Sequence, residues 1–218
     1  MKISVVRSVL EANDRIAEQN RNLFEQSGVL VINLMSSPGA GKTSLLEKTI
    51  EALQDDLAIG VIEGDIQSSQ DAERIAKKGV AVVQINTDGA CHLDGNMVQG
   101  TLDHFDLRSL DLLVVENVGN LVCPAEFKVG EDLKAMILSV AEGDDKPSKY
   151  PLMFRESQVL LINKIDLLPH VDCSLDKMVA DSRKINVGLD IFDVSCKTGR
   201  GLGGWYEWLN EKVKAKRG

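Results

Sequence analysis

The chain has 218 residues, in which 25 Lys and Arg oppose 33 Asp and Glu for a net charge of −8. Apolar residues make up 44% and aromatics 4%, enough aliphatic material for a sizeable core, which excludes an intrinsically disordered chain. No broad basic excess exists to neutralise phosphates, so nucleic acid is not an expected partner.

Residues 1–27 read as an amphipathic helix, with Val6, Val9, Ile16 and Leu23 on a 3–4 spacing that also passes through Asn13 and Asn20. Two readings stand: a helix packed on its own domain, or a dimer-contact arm, since asparagines in an apolar stripe fix register. Charges at Arg7, Glu11, Asp14, Arg15, Glu18 and Arg21 are unlike a secretory signal, and no run approaches the ~18 apolar residues of a membrane span. The expectation is a cytoplasmic chain with no membrane partner. There the thiols of Cys91, Cys123, Cys173 and Cys196 stay reduced, which favours metal binding or plain burial over disulfides.

From Gly28 onward, short β-branched runs alternate with longer amphipathic stretches. The runs at 29–35, 58–63, 80–85, 112–116, 135–140, 158–163 and 189–194 are continuous enough to be strands buried on both faces. Helices are expected at about 43–54, 68–78, 92–104, 173–185 and 203–214. This alternation predicts one domain, 28–218: an α/β, doubly wound, mostly parallel sheet of about seven strands with helices on both faces. The polar stretch 142–150, with Pro147, reads as a loop, and the basic tail Lys212, Lys214, Lys216, Arg217 as a solvated end.

Between the first strand and the first domain helix lies Ser36-Ser37-Pro38-Gly39-Ala40-Gly41-Lys42-Thr43-Ser44. In that context it reads as a phosphate-binding loop. Gly39 and Gly41 let backbone N–H groups turn inward, and the helix behind them points its positive end at the same anion. Gly39, Ala40, Gly41, Lys42, Thr43 and Ser44 are the expected phosphate-binding set. Lys42 brings a point charge to the β- and γ-phosphates, and Thr43 offers a hydroxyl to Mg²⁺. Ser36 stands where the usual motif begins with glycine, while Gly41-Lys42-Thr43 is intact.

Two acids sit where strands end, Asp65 in Ile62-Glu63-Gly64-Asp65 and Glu116 in Val114-Val115-Glu116-Asn117. An open α/β sheet binds its ligand there, so each carboxylate is a Mg²⁺ candidate or simply a solvated acid. Lys42, Thr43, Asp65 and Glu116 are the expected catalytic group. Asn163-Lys164-Ile165-Asp166 resembles the guanine-recognition motif of P-loop GTPases, in which the aspartate accepts from two guanine N–H groups that adenine lacks. Ser195-Cys196-Lys197 resembles the accessory base-binding loop of the same proteins. No arginine finger is evident, and Lys146 and Lys149 are candidates to reach a phosphate, or are solvated loop lysines.

Cys91-His92 and Cys123 offer thiolate and imidazole, suitable for Zn²⁺ or Ni²⁺, though buried cysteines are the common alternative. Three such ligands leave a tetrahedral ion incomplete, so water or a second subunit would finish it. His104, His170, Cys173 and Cys196 form no comparable group.

Taken together, the phosphate loop, Val61-Ile62-Glu63-Gly64-Asp65, Cys91-His92-Leu93-Asp94, the run from Glu116 to Pro124, Glu142-Gly143-Asp144-Asp145-Lys146-Pro147 and Asn163-Lys164-Ile165-Asp166 resemble the HypB family of hydrogenase nickel-incorporation GTPases, of the SIMIBI class. The related urease-accessory GTPase lacks the run from Glu116 to Pro124. The resemblance implies a slow GTPase that assists nickel insertion into [NiFe]-hydrogenase, with GTP and Mg²⁺ as cofactors and a homodimer promoted by GTP and metal. It implies that Cys91, His92 and Cys123 bind Ni²⁺ or Zn²⁺ at the dimer interface, and that Thr43, Asp65 and Glu116 serve Mg²⁺. Other hydrogenase-maturation proteins and the hydrogenase large subunit are the implied partners. Some members carry an N-terminal cysteine-rich or histidine-rich nickel segment, but here no cysteine precedes Cys91 and no histidine precedes His92. The competing functions are a GTPase chaperone for another metalloenzyme, such as urease, and a metal-binding module with negligible turnover. A small-molecule kinase has no reason to carry the guanine motif.

Overall fold

A computed structural model describes residues 9–66 and 68–218. The elements in chain order are α1 (Val9–Ser27), β1 (Leu30–Ser36), α2 (Lys42–Leu53), β2 (Ile59–Asp65), α3 (Gln70–Ala76), β3 (Ala81–Asn86), α4 (Gly95–Gln99), β4 (Leu112–Glu116), α5 (Cys123–Glu126), β5 (Leu133–Ser139), α6 (Lys146–Lys149), α7 (Pro151–Glu156), β6 (Val159–Asn163), α8 (Leu175–Ile185), β7 (Asp190–Asp193) and α9 (Leu202–Arg217). Short 3₁₀ turns cover Leu102–His104, Val140–Glu142 and Ile165–His170. The seven strands form one sheet in the order β3-β2-β4-β1-β5-β6-β7, and every pair is parallel.

The β-branched runs form this sheet because both faces are covered. Along β1, Leu30, Ile32 and Leu34 face α2 and α9, packing against Leu45, Ile50, Trp205 and Leu209. Val29 and Val31 face the other way, against Phe24 of α1 and Val98 of α4. Met35 continues that row onto Met153 and Phe154 of α7 and Met178 of α8. A side-chain period of two, with both rows apolar but for Asn33 and Ser36, suits a central parallel strand. The doubly wound α/β expectation holds. Among the described residues, no helix is long and apolar enough to cross a membrane.

Several boundaries move. The helix expected at 92–104 begins only at Gly95, because Asp94 caps it by accepting from the Met97 N–H at 2.8 Å, and it stops at Gln99. Cys91 and His92 therefore lie in a loop, which suits ligands better than a helix would. The expected loop 142–150 contains α6, with Pro147 in its first turn, where a missing N–H costs nothing. The helix α7 was not anticipated; Pro151 opens it directly after α6. Strand β5 starts at Leu133 rather than at 135 and so includes Lys134.

In α1 the expected stripe and the buried face share Asn13 and Asn20 but differ in their apolar members. Val6 lies outside the described residues, and Leu23 is 41% exposed. The buried face is Asn13, Ala17, Asn20 and Phe24. Asn13 donates to the Lys128 carbonyl at 2.9 Å and accepts from the Gly95 N–H at 2.7 Å. Asn20 donates to the carbonyls of Gly95 at 2.8 Å and Val129 at 3.1 Å. The two asparagines fix this helix on its own chain.

Candidate functional site

The carboxyl ends of β1, β2 and β4 surround a cleft of about 440 Å³ lined by Gly39, Gly41, Lys42, Thr43, Ser44, Glu63, Asp65, Glu116 and Asn117. The loop after β1 turns back over itself because Gly39 and Gly41 take φ of +75° and +104°, which glycine adopts without a Cβ clash. Lys42 and Thr43 then open α2, so the helix N-terminus faces the cleft. The Lys42 ammonium donates to Ser36 Oγ at 3.0 Å, and that hydroxyl donates to the Ser37 carbonyl at 2.6 Å. The serine that departs from the usual motif thus supports the lysine. Thr43 Oγ1 donates to Glu116 Oε1 at 2.8 Å. Asp65 lines the same cleft and accepts from the Ser68 N–H at 3.0 Å. Gly119 lets its loop press on the phosphate loop: a Cβ there would meet the Pro38 Cα at 2.9 Å.

Glu63 was not singled out from the sequence and belongs here. It pairs in register with Glu116 across β2 and β4, and the two are 3% and 1% exposed. Burial first, and then the facing carboxyl, pushes Glu63 far above the usual carboxylate range. Burial raises Glu116 too, against the pull of Lys42. The two carboxyls hydrogen-bond to one another, so without metal the pair holds a proton. Each still has a buried oxygen without a partner. An acid inside an otherwise apolar strand was the available signal. Hydroxyl and carboxylate oxygens with spare acceptor capacity fit a hard divalent cation such as Mg²⁺.

Arg74, also unforeseen, lines the cleft from α3. Its guanidinium is engaged by Glu47 at 2.5 Å and Asp71 at 2.7 Å. Lys146 and Lys149 do not line the cleft. Asp145 holds them, at 3.0 and 2.5 Å.

Beyond Gly41 the cleft continues into a second chamber of about 390 Å³, lined by Ser44, Asn163, Lys164, Asp166, Leu167, Cys196 and Lys197. Asn163 donates to the Ala40 carbonyl at 3.0 Å and accepts from the N–H groups of Lys164 and Cys196 at 2.7 and 3.2 Å. One amide therefore joins the phosphate loop to both base-side loops. Lys164 has φ of +63°, a strained value for a residue with a side chain. That turn lets its ammonium lie back on the Gly39 carbonyl at 2.6 Å. Ser195 is fully buried and donates to Asp166 Oδ1 at 2.6 Å, so it aims the aspartate from behind instead of lining the chamber. Burial pushes the Cys196 thiol up to about 11, so that side chain stays neutral.

Cys91, His92 and Cys123 meet at the surface, with their ligating atoms all within 4.8 Å of one another. The Cys91 thiol is 3.1 Å from the Cys123 sulfur, and its sulfur is 3.8 Å from His92 Nδ1. Burial lowers the His92 pKa, which keeps its imidazole neutral, and the ring packs tilted against Phe127, with centroids 3.8 Å apart. Two thiols and a neutral imidazole fit Ni²⁺ or Zn²⁺ and leave one position open. The two sites adjoin through Asn117, which lines the phosphate cleft and accepts the Leu93 N–H at 2.9 Å.

Residues 30–193 match the family described as CobW/HypB/UreG, nucleotide-binding domain. The chain is 48% identical over 210 residues to the hydrogenase maturation factor HypB of Azotobacter vinelandii, covering 96% of this chain and 69% of that protein. A crystal structure of HypB from Archaeoglobus fulgidus superposes with a TM-score of 0.88 at 38% identity, covering 93% of this chain and 99% of that one. HypB from Helicobacter pylori, solved in complex with nickel, has a TM-score of 0.88 at 37% identity and covers 94% and 97%.

Proposed function

Because the chain belongs to the HypB family of hydrogenase maturation factors, we propose that it binds and slowly hydrolyses GTP to assist nickel insertion into [NiFe]-hydrogenase, as a cytoplasmic homodimer acting with other maturation proteins and the hydrogenase large subunit. The observation that carries this reading is the pairing of a guanine-type chamber with a thiol–imidazole cluster at one end of one sheet. A solved relative bound to nickel supports it.

In this reading, residues 28–218 are the GTPase domain and 1–27 a helical arm. Asp166, aimed by Ser195, accepts the guanine N–H groups, while Lys164 and Cys196-Lys197 bracket the base. The N–H groups of Gly39 to Ser44 hold the phosphates. Lys42 leaves Ser36 to neutralise charge on the transferred γ-phosphoryl, and a water attacks in line. Mg²⁺ held by Thr43, Asp65 and Glu116 would supply further charge neutralisation there. Arg74, the arginine that lines the cleft, is engaged by two carboxylates, so turnover is slow, as in GTPases without an arginine finger. Nickel is cargo on Cys91, His92 and Cys123, with the open position filled by water or by a second copy in the GTP-promoted dimer. Zn²⁺ suits the same ligands.

Phosphate release from GTP by the wild type and by Lys42→Ala tests the enzyme reading. Release that depends on Lys42 is expected. Equal release from both leaves a metal-binding module. Hydrogenase activity in cells lacking the protein then identifies the client. Normal hydrogenase with lost urease activity would assign it to the other metalloenzyme.

A further inference from the structure

Asn33 sits mid-strand in β1, fully buried, in the row that otherwise carries Val31 and Met35. Burying an amide among apolar side chains is unfavourable unless its hydrogen bonds are made. Asn33 Oδ1 accepts from Asn117 Nδ2 at 3.1 Å, and Asn33 Nδ2 donates to Glu131 Oε1 at 3.5 Å. The same Glu131 oxygen lies 3.6 Å from the ammonium of Lys134, the register partner of Asn33 on β5. The other Glu131 oxygen accepts the N–H groups of Val129 and Gly130 at 2.7 and 3.0 Å. All four side chains are more than nine-tenths buried.

The ends of this chain are its informative part. At one end, Asn117 Oδ1 accepts the N–H of Leu93, the residue after His92, at 2.9 Å. At the other, Lys134 Nζ donates at 2.6 Å to the carbonyl of Ala125, in the helix that Cys123 opens. At the first end, Asn117 also follows Glu116, which takes the Thr43 hydroxyl. A continuous line of buried polar contacts therefore ties both halves of the thiol–imidazole cluster to each other and to the phosphate end of β4. Stability alone is a poor reason for such a line, because well-packed apolar residues in place of a buried ionic network are often neutral or stabilising.

We propose that Asn117, Asn33, Glu131 and Lys134 are positioning residues that set the spacing of Cys91-His92 against Cys123 and pass a nucleotide-dependent shift at the end of β4 into that spacing. The second half rests on the GTP and nickel reading above; the first does not. None of the four touches the metal or, apart from Asn117, the nucleotide cleft. They act through the backbone of Leu93 and Ala125. Any displacement of Asn117 on phosphate binding moves the Leu93 amide that it holds, and reciprocally, a metal that fixes His92 biases Asn117.

Asn33→Leu tests this, because it keeps the volume and breaks the line far from both sites. Ni²⁺ affinity is measured by chelator competition on the full chain, without nucleotide, with GDP and with a non-hydrolysable GTP analogue. The nucleotide-free affinity should fall about tenfold or more. The ratio between the two nucleotide forms should move toward one. Exchange at the Leu93 amide should quicken, while affinity for the GTP analogue stays at the wild-type value. If Asn33→Leu fails to fold, Lys134→Met should give the same pattern, since it keeps the stem and removes the ammonium that joins Glu131 to the Ala125 carbonyl. Trp208→Phe, which loses a hydrogen bond to Asp190 elsewhere in the fold, serves as the destabilised control and should leave Ni²⁺ affinity unchanged. Wild-type Ni²⁺ affinity in Asn33→Leu or Lys134→Met overturns the proposal. Equal Ni²⁺ affinity of the wild type with GDP and with the GTP analogue would instead sink the nucleotide-coupled half and the switch behind it, whereas weakened nucleotide-free affinity in Asn33→Leu would still support positioning.

Discussion

Gly41 has two separate reasons to lack a side chain. Its φ of +104° is a glycine conformation, and a Cβ would lie 2.5 Å from Asn163 Nδ2, the amide that links the phosphate loop to the base chamber. Gly41→Ala should therefore abolish nucleotide binding while leaving a cooperatively folded chain, which filter binding and a thermal melt would establish together. Asp166→Asn exchanges an acceptor for a donor on a side chain held by Ser195. Preference should shift from GTP toward xanthosine triphosphate, and unchanged GTP affinity would refute the guanine assignment. The Glu63–Glu116 pair gives a pH prediction. A carboxyl whose folded pKa lies above its unfolded value stabilises the fold most fully below about pH 4, and that stability is lost as pH rises toward the folded value. In the metal-free chain both acids are raised. Glu63→Gln keeps a donor for Glu116 and removes one titration, so it should raise the melting temperature more at pH 8 than at pH 5. An equal gain at both pH values would show that the pair is not titrating as described.

At the level of elements, α1 bridges the two segments that carry the thiol–imidazole cluster, because Asn13 and Asn20 hold both Gly95 and the stretch 128–129. Two glycines make that approach possible. A Cβ at Gly95 would meet the Ala17 N at 2.9 Å, and one at Gly130 would meet the Asn20 Cβ at 2.7 Å. Asn20→Ala should destabilise the chain by about 1–3 kcal/mol, read from urea midpoints, since it removes two buried hydrogen bonds. How far sequence alone reached depended on whether a pattern was local. Continuous apolar runs placed all seven strands to within two residues at their starts, and the Gly41-Lys42-Thr43 and Asn163-Lys164-Ile165-Asp166 segments marked their strand ends, because each motif carries its own turn chemistry. The helix α7 was missed because Pro151 reads as a breaker until it is seen at a first turn. Glu63, Arg74 and the Asn33 line were missed for another reason. Their partners come from distant strands and helices, and their significance lies in burial. The asparagine in an otherwise apolar β1 was the visible trace.

For the whole molecule, a single sheet carries the phosphate end of the site at β1, β2 and β4 and the base end at β6 and β7. A nucleotide bound as proposed would brace loops from five strands. GDP at a hundredfold excess over its Kd should add about 2.7 kcal/mol, a rise of about 5–10 °C in melting temperature, and ADP should add far less. An equal shift with ADP would contradict a guanine-selective base chamber. The surface cluster has a consequence of a different kind. Cys91 and Cys123 bring two sulfurs within 3.1 Å at the exterior, close enough for an oxidant to join them once no ion lies between. Metal and oxidant would then compete for the same pair of thiols. Diamide, taking up two electrons and two protons as the sulfur–sulfur bond forms, should silence the metal-free protein and spare the loaded one, and dithiothreitol should restore it. If the cluster carries nickel as proposed, the cargo also protects its carrier, and an empty carrier in an oxidising cell would be out of service until reduced.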